Sequence, residues 1–500
     1  MNTLDRIIGY VSPGRAKRRA IERLETEQLR KYEAAGHGRR FANGYLGRGT
    51  SANSEIERAG PLMRDRHRYM VRNNPWAARA VQAIVTNTVG FGITGDLARR
   101  GRKVPQYLKD RWADYCDTPS MVDAYGQHDL YGLQAIALRT VVESGECLAV
   151  RIRRRGMFSK VKLLEPDHLD HETQGDLPGG GRIIQGVEYS AQDEIVAYWL
   201  FPQHPGDPHT RYFKPERVPA ADVLHVYRVD RPGQVRGVAW GHPVMVSLSD
   251  LDEYEDAYLF RQKLANCVTG IFEDMDPLPG QPGMNDALPA DQLEPGAMLH
   301  APPGKRVTWS TPPNAGDYGP FTKDILLRIA AGYGVSFQAM TGDLSSVNFS
   351  SGRMGWVEFQ RNLEAWRWQM FIPMFCDGVA GWWLEDAELM GANVTGLFVE
   401  WTPPRREMFD PTREGPAMEQ LIRAGIKSLP STHRELGMRT ERVLQEIADT
   451  NKLIDQFELV LDSDPRTIGK GTRITSATQA DVAKAEEEVT EEAQDDETTD

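Results

Sequence analysis

Hydroxyl, carboxylate and imidazole groups gather at a few places in this 500-residue chain. The first is TGDLSSVNFSSGR, residues 341–353. A serine nucleophile of the elbow kind needs G-x-S-x-G between a strand and a helix. GVSFQ lacks the second glycine, and SSGRM precedes a helical pattern with no strand before it, so Ser350 and Ser351 read as helix N-caps. The second is EPDHLDHE, where His168 and His171 stand beside Asp167 and Asp170, residue types that bind metals. A strand running into a turn sends neighbouring side chains to opposite faces, and no third strong ligand is close. These four therefore read as aspartate turn chemistry and surface histidines. GYLGRGTS has the glycines of a phosphate loop without its lysine or a preceding strand. LIRAGIKSLPSTHRELGMRTERVLQEI imitates a helix-turn-helix, yet the helix that would face phosphates, TERVLQEIADTN, is acidic. Nothing selects a carboxylate pair for glycoside chemistry. No catalytic residue, metal or cofactor is expected, and a hydrolase or nuclease reading has no anchor.

The totals set the frame for these segments. A chain this long exceeds one hydrophobic core, and about three or four domains are expected. With 40% hydrophobic and 26% charged residues it has the composition of a soluble globular protein. It has no uncharged apolar run of about 18 residues, so no membrane partner is expected. Basic residues follow rather than precede the short apolar patch at the N-terminus, the wrong order for a secretory signal, so the cytoplasm is the expected compartment. Cys116, Cys147, Cys267 and Cys376 are far apart and read as buried thiols. The net charge is -12, and nine acids lie between Glu486 and Asp500 with no base among them. The body is therefore nearly neutral.

Positioning elements follow from periodicity. Residues 1–55 are basic and glycine-rich, an arm without a core of its own. Asn74 followed by Pro75 marks a helix start, Ala78, Val81, Ile84 and Val85 recur at helical spacing, and Gly90 marks the end. Two further helices fit PQYLKDRWADYC and HDLYGLQAIALRTVVESG, and from ECLAVRIRRR onward short β-rich runs alternate with turns. Residues 60–240 thus read as α+β, helices first and antiparallel strands after. A long helix over 244–269 carries five acids within seven residues, Asp250, Asp252, Glu253, Glu255 and Asp256. Ten of the 31 prolines lie between Phe272 and Phe321, where AMLHA and RVTWS can pair as a hairpin. Helix returns over 322–333. After the polar loop, Trp356, Phe359, Leu363, Trp366 and Met370 share one buried face, and Pro373 should bend or end that helix. Terminal helices follow, with Thr432 and Glu435 as a capping box, before a low-complexity tail.

RNNPWAARAV, RPGQVRGVAW, the proline-rich insert and GYGVSFQAMTGDLSSVNFSSGR occur in this order, and together they resemble the phage portal proteins of the lambda family. The resemblance covers residues 55–460. It implies an α+β portal fold in which residues 56–243 and 335–405 form a wing, 244–270 and 321–334 the stem, 271–320 the clip and 406–460 a helical crown. Residues 1–55 and 461–500 would flank it as a basic arm and an acidic, disordered tail. It implies a dodecameric ring at one capsid vertex, assembled in the host cytoplasm, through which double-stranded DNA passes. Terminase large subunit, the major capsid protein and a head-completion protein would be its partners. The loop 341–353 would be the tunnel loop, with Ser345, Ser346, Asn348, Ser350, Ser351 and Arg353 beside the DNA. The five acids of the first stem helix would form a phosphate-repelling channel wall. The competing expectations are an enzyme with an unrecognised site and a monomeric DNA-binding protein.

Overall fold

The computed structural model describes residues 49–101, 103–209, 214–266, 270–274, 305–309, 318–345, 348–404, 410–438 and 440–459. The chain divides into two units, Met1–Ala59 with Arg231–Gln234, and the remainder. Within the first unit, Arg231 pairs with Glu55 at 3.0 Å, and the Asn53 amide donates to the Gly233 carbonyl. The segment RPGQVRG is thus split, its last three residues belonging to the second unit.

Helix α1 spans Ala52–Asn73. Helix α2, Pro75–Thr88, starts where its sequence says it should. The Asn74 side-chain oxygen accepts from the N–H groups of Trp76 and Ala77, and proline supplies a first turn that needs no donor. Ala77, Ala80, Val81, Ile84 and Val85 form its buried face, and Gly90 leaves it at φ +54. Helices α3 (Gln106–Asp117), α4 (Pro119–Val122) and α5 (Leu130–Ser144) follow. Gly145 ends α5 at φ +96, where a Cβ would also lie 2.6 Å from the backbone of Val238. Only glycine meets both demands.

Strand β1 (Thr94–Arg99) pairs with β12 (Leu397–Thr402), Thr94 opposite Thr402. Strands β2 (Glu146–Arg154), β3 (Met157–Leu164) and β9 (Val223–Tyr227) form a sheet with β2 in the middle. A second sheet runs in sequence order through β4 (Gly175–Asp176), β5 (Arg182–Ile184), β6 (Val187–Tyr189), β7 (Ile195–Leu200) and β8 (Glu216–Pro219). All of these pairs are antiparallel, and with the helices they make an α+β fold. Leu148, Val187, Tyr198, Leu200 and Val223 join the two sheets in a small core, while most other buried side chains belong to one larger core.

Helix α6 (Met245–Asn266) and helix α7 (Tyr318–Tyr333) bracket the proline-rich insert. Leu248 and Leu251 of α6 and Ile325, Leu326 and Ile329 of α7 are buried in the larger core, and further along the pair Tyr254 stacks on Tyr318 with ring centroids 6.0 Å apart. Strand β11 (Lys305–Trp309) contains RVTW, but its described partner is β10 (Gly270–Asp274). The expected partner AMLHA lies outside the described residues, as do residues 1–48 of the arm, the tail and Cys267. Cys116, Cys147 and Cys376 are buried free thiols.

Helix α8 (Phe337–Thr341) precedes the polar loop and α9 (Phe349–Trp366) follows it. Pro373 does not end the helix. Residues Arg367–Cys376 wind as π-helix and continue into α10 (Asp377–Leu389). Widening the turn changes which carbonyls the N–H groups address, and Pro373 has no N–H to misplace. Arg367, at the start of this segment, is buried and donates to the carbonyls of Asn87 and Thr88 at the end of α2. Burial lowers its pKa to about 10.

Helices α11 (Pro411–Arg423), α12 (Leu429–Glu435) and α13 (Thr440–Gln456) complete the described chain. The expected capping box at Thr432 is incorrect. Ser428 caps α12 by accepting from Ser431 N–H, and Thr432 sits inside the helix. Pro430 fits the first turn and so moves the start upstream.

Candidate functional site

The polar loop is built from its ends inward. Ser336 caps α8 by accepting from Ala339 N–H, and Gly342 closes it at φ +73. Asp343 N–H donates to Thr341 Oγ1, and Ser345 N–H donates to Asp343 Oδ1 at 2.9 Å, a turn made from one short carboxylate. The hydrogen bonds from Ser345 hold the Asp343 carboxyl below its ordinary pKa. Gly352 N–H donates to the Asn348 carbonyl, so α9 begins at Phe349. The two helices therefore end at Thr341 and resume at Phe349, which leaves a gap, 342–348, shorter than the expected loop 341–353.

Ser345 and Asn348 are exposed in that loop, and Ser346 lies outside the described residues. Ser350 and Ser351 occupy the first turn of α9 and are not its caps, because Asn348 already stands before the first turn. Arg353 is exposed on the helix. Leu344 and Met354, 66% and 75% exposed, add apolar surface that the hydroxyl-rich reading did not weigh.

The five acids of α6 are not equivalent. Asp252 accepts from Asn74 Nδ2 at 2.7 Å, so Asn74 caps α2 with one side-chain atom and holds α6 with the other. Glu255 accepts from the Tyr318 hydroxyl at 3.1 Å, tying α6 to α7. Asp250, Glu253 and Asp256 are exposed.

EPDHLDHE separates in space. Asp170 accepts from Glu172 N–H and the Thr173 hydroxyl, the expected turn chemistry, and His171 is exposed. His168 is not a surface histidine; it is buried with Nδ1 2.9 Å from the Phe201 carbonyl, and burial lowers its pKa. Asp167 instead joins Glu165 and His204, whose ligand atoms lie within 4.8 Å of one another, as a metal would require. Arg64 and Arg68 answer those carboxylates, Arg68 Nη2 lying 2.7 Å from Asp167 and 2.8 Å from Glu165. Two guanidinium groups do there what a cation would do, so the cluster is an ion-pair network. No local pattern links His204 to it, since it arrives from a distant turn.

A deeper network went unread in the sequence. Glu146 Oε1 accepts from Arg236, and its Oε2 accepts from Gly237 N–H and lies 2.8 Å from His225 Nε2. Arg236 also donates to the carbonyls of Pro166 and Gln185. The residues just before α6 are thereby fixed to β2 and β9. Nothing in this arrangement presents a nucleophile or a general base to a cleft.

The family model described as phage portal protein, lambda family, matches residues 37–367. A protein described as a probable portal protein of Halomonas phage phiHAP-1 is 26% identical over 480 residues, spanning 88% of this chain and 89% of that one. Among solved structures, the neck of a native gene transfer agent particle computed with C12 symmetry contains a chain 15% identical to this one. That match covers 80% of this chain and 97% of the other, with a TM-score of 0.44. An HK97 family phage portal protein from Corynebacterium diphtheriae is 10% identical over 69% of this chain and 94% of its own, with a TM-score of 0.30.

Proposed function

Because this chain belongs to the lambda family of phage portal proteins, we propose that twelve copies close into a ring at one capsid vertex and that double-stranded DNA passes through its axis. The family match over about two-thirds of the sequence carries the reading. The role is that of a portal, a head–tail connector of the virion, and it is structural rather than enzymatic.

In this proposal the paired helices α6 and α7 are the stem, and the insert between them is the clip, where terminase large subunit docks during packaging and a head-completion protein docks afterwards. The mixed sheets with α2–α5, α9 and α10 are the wing, α11–α13 the crown, and the major capsid protein surrounds the ring. Assembly takes place in the host cytoplasm. The loop 342–348 is the tunnel loop. Its small polar residues and single nearby guanidinium, Arg353, suit weak contact with a moving duplex, since every firm phosphate contact adds a salt-dependent hold. Asp250, Glu253 and Asp256 are the α6 acids left to repel phosphate, because Asp252 and Glu255 are engaged within the fold.

Native mass spectrometry with negative-stain microscopy tests the ring. A closed assembly with an axial hole is expected, and a monodisperse monomer at assembly concentration overturns it.

A further inference from the structure

Among the described residues, the turn after β1 is a basic exposed stretch whose cations are left largely unanswered. RRGRKVPQYLKDR, residues 99–111, holds six cations and one acid. Arg99 is used locally, donating to the Asn393 carbonyl at 2.6 Å. Arg100, Lys103 and Arg111 are exposed and make no ion pair or hydrogen bond among the described residues. Tyr107 stands among them, 54% exposed. A second dense run among the described residues, 151–155, differs. Arg151 is neutralised by Glu385 and Asp386, Arg153 pairs with Asp222, and Arg154 donates to the carbonyls of Phe158 and Met121.

The C-terminal part of the chain is anchored beside this turn. Arg434 of α12 pairs with Glu400 of β12, whose partner across the ribbon is Asp96 of β1. Arg99 is three residues further along β1, about 10 Å at strand rise. The start of α13 shares a cleft of about 420 Å3 with β1 and α3, lined by Thr94, Asp117, Tyr131, Met438, Arg442 and Glu446. From there the description ends at Leu459, and the nine acids begin at Glu486. The intervening 460–485 spans up to roughly 90 Å when extended, so reach does not limit where the acids go.

We propose that the basic turn formed by Arg100, Lys103 and Arg111 is the docking surface for the acidic C-terminal segment 486–500 of this chain. Charge complementarity selects the occupant, because among the described residues this turn is a dense group of cations left unanswered and the tail is the dense group of acids in the sequence. The consequence is electrostatic cover. With the tail seated, the turn is closed to other polyanions, double-stranded DNA included. The proposal concerns the subunit surface and does not depend on ring closure.

The test uses the full chain and a version ending at Ala485. Carbodiimide coupling of the full chain at low salt should join the Lys103 amine to carboxylates within 486–500, and about 1 M salt should abolish the link by screening. Acylation of Lys103 should be faster in the shortened chain by about threefold or more, the scale of a weak exposed ion-pair network. The double variant R100E/K103E should show no preferred coupling of the tail to this turn, read through Lys109, while its thermal midpoint stays at that of the parent. A double-stranded DNA fragment should slow acylation of Lys103 in the shortened chain and do so less in the full one. Equal Lys103 reactivity in both chains overturns the proposal. So does coupling of the tail to lysines elsewhere with no preference, or DNA binding at Lys103 that is the same with and without the tail.

Discussion

Arg236 Nη2 lies 2.5 Å from Glu146 Oε1, with the two side chains 3% and 1% exposed. Burial alone would raise the Glu146 pKa, but Arg236 and then His225 outweigh it and hold the carboxyl well below the ordinary range. Removing one partner strands the other. Arg236→Ala or Glu146→Gln should therefore destabilise the subunit by about 3–5 kcal/mol. Since the folded pKa is depressed, the contribution is complete above the unfolded value, about pH 4.3, and is lost as pH falls below it. Thermal unfolding across that range measures it, and a variant as stable as the parent contradicts it.

A second buried pair sets a different window. His67 Nδ1 is 2.7 Å from the Glu143 carbonyl and Nε2 is 2.7 Å from the Tyr333 hydroxyl. A carbonyl only accepts, so Nδ1 carries the proton. Burial lowers the ring's pKa and keeps it neutral, and in that form Nε2 accepts from Tyr333. Stability should be complete above about pH 6.5 and fall as the pH drops, because the unfolded chain takes the proton first. Tyr333→Phe should cost about 1–3 kcal/mol at neutral pH, and His67→Gln should flatten the fall between about pH 7 and 5. An unchanged pH slope in His67→Gln would show that the neutral ring contributes nothing.

What was legible in the sequence was local. Asn74–Pro75 states a helix start within two residues, and the structure places it there. The period-2 runs between Glu146 and Tyr227 announced antiparallel strands, since alternation is itself a short-range signal. The pairing of Thr94 with Thr402 joins strands about 300 residues apart, and no local pattern encodes it. Pro373 correctly marked a break in regularity, but whether the turn ends or widens depends on the buried Phe371 and Phe375 that hold the segment in the core. The ion networks failed to show for the same reason. Glu146, His225 and Arg236 come from separate segments, and each alone reads as an ordinary charged residue. Of the candidate loop, the position was legible and the extent was not, because Asn348 opens α9 earlier than the serines suggested.

Helix α9 allows a graded test. Phe359 and Leu363 are 2% and 0% exposed, whereas Trp356 and Trp366, which the spacing also placed on the buried face, are only partly covered. Phe359→Ala should cost about 3–5 kcal/mol and Leu363→Ala about 2–5. Each tryptophan replacement should cost less than Phe359→Ala, since its ring keeps part of its contact with water. Equal losses at Trp356 and Phe359, by chemical denaturation, would place Trp356 in the core.

Removal of residues 484–500 should leave ring assembly intact. A run of like charge cannot pack a core, and residues 486–500 hold nine acids and no base. Micrographs should show the same ring from the shortened chain. Loss of rings would make the tail part of the assembly.

Deleting residues 345–348 tests the tunnel-loop proposal. The deletion keeps Phe349 and the whole of α9, and its described residues Ser345 and Asn348 are exposed, so folding and ring formation should survive. Packaging or retention of DNA should fall, because the proposed ring puts this polar segment nearest the duplex. The single change Ser350→Ala should leave both unaltered, whereas a serine-hydrolase reading predicts that it alone abolishes an activity. Ring yield and packaged DNA need separate measurement for each variant. If the deletion variant packages and retains DNA as the parent does, the loop is not the DNA-facing element, and α6 with its exposed Asp250, Glu253 and Asp256 becomes the next wall to examine.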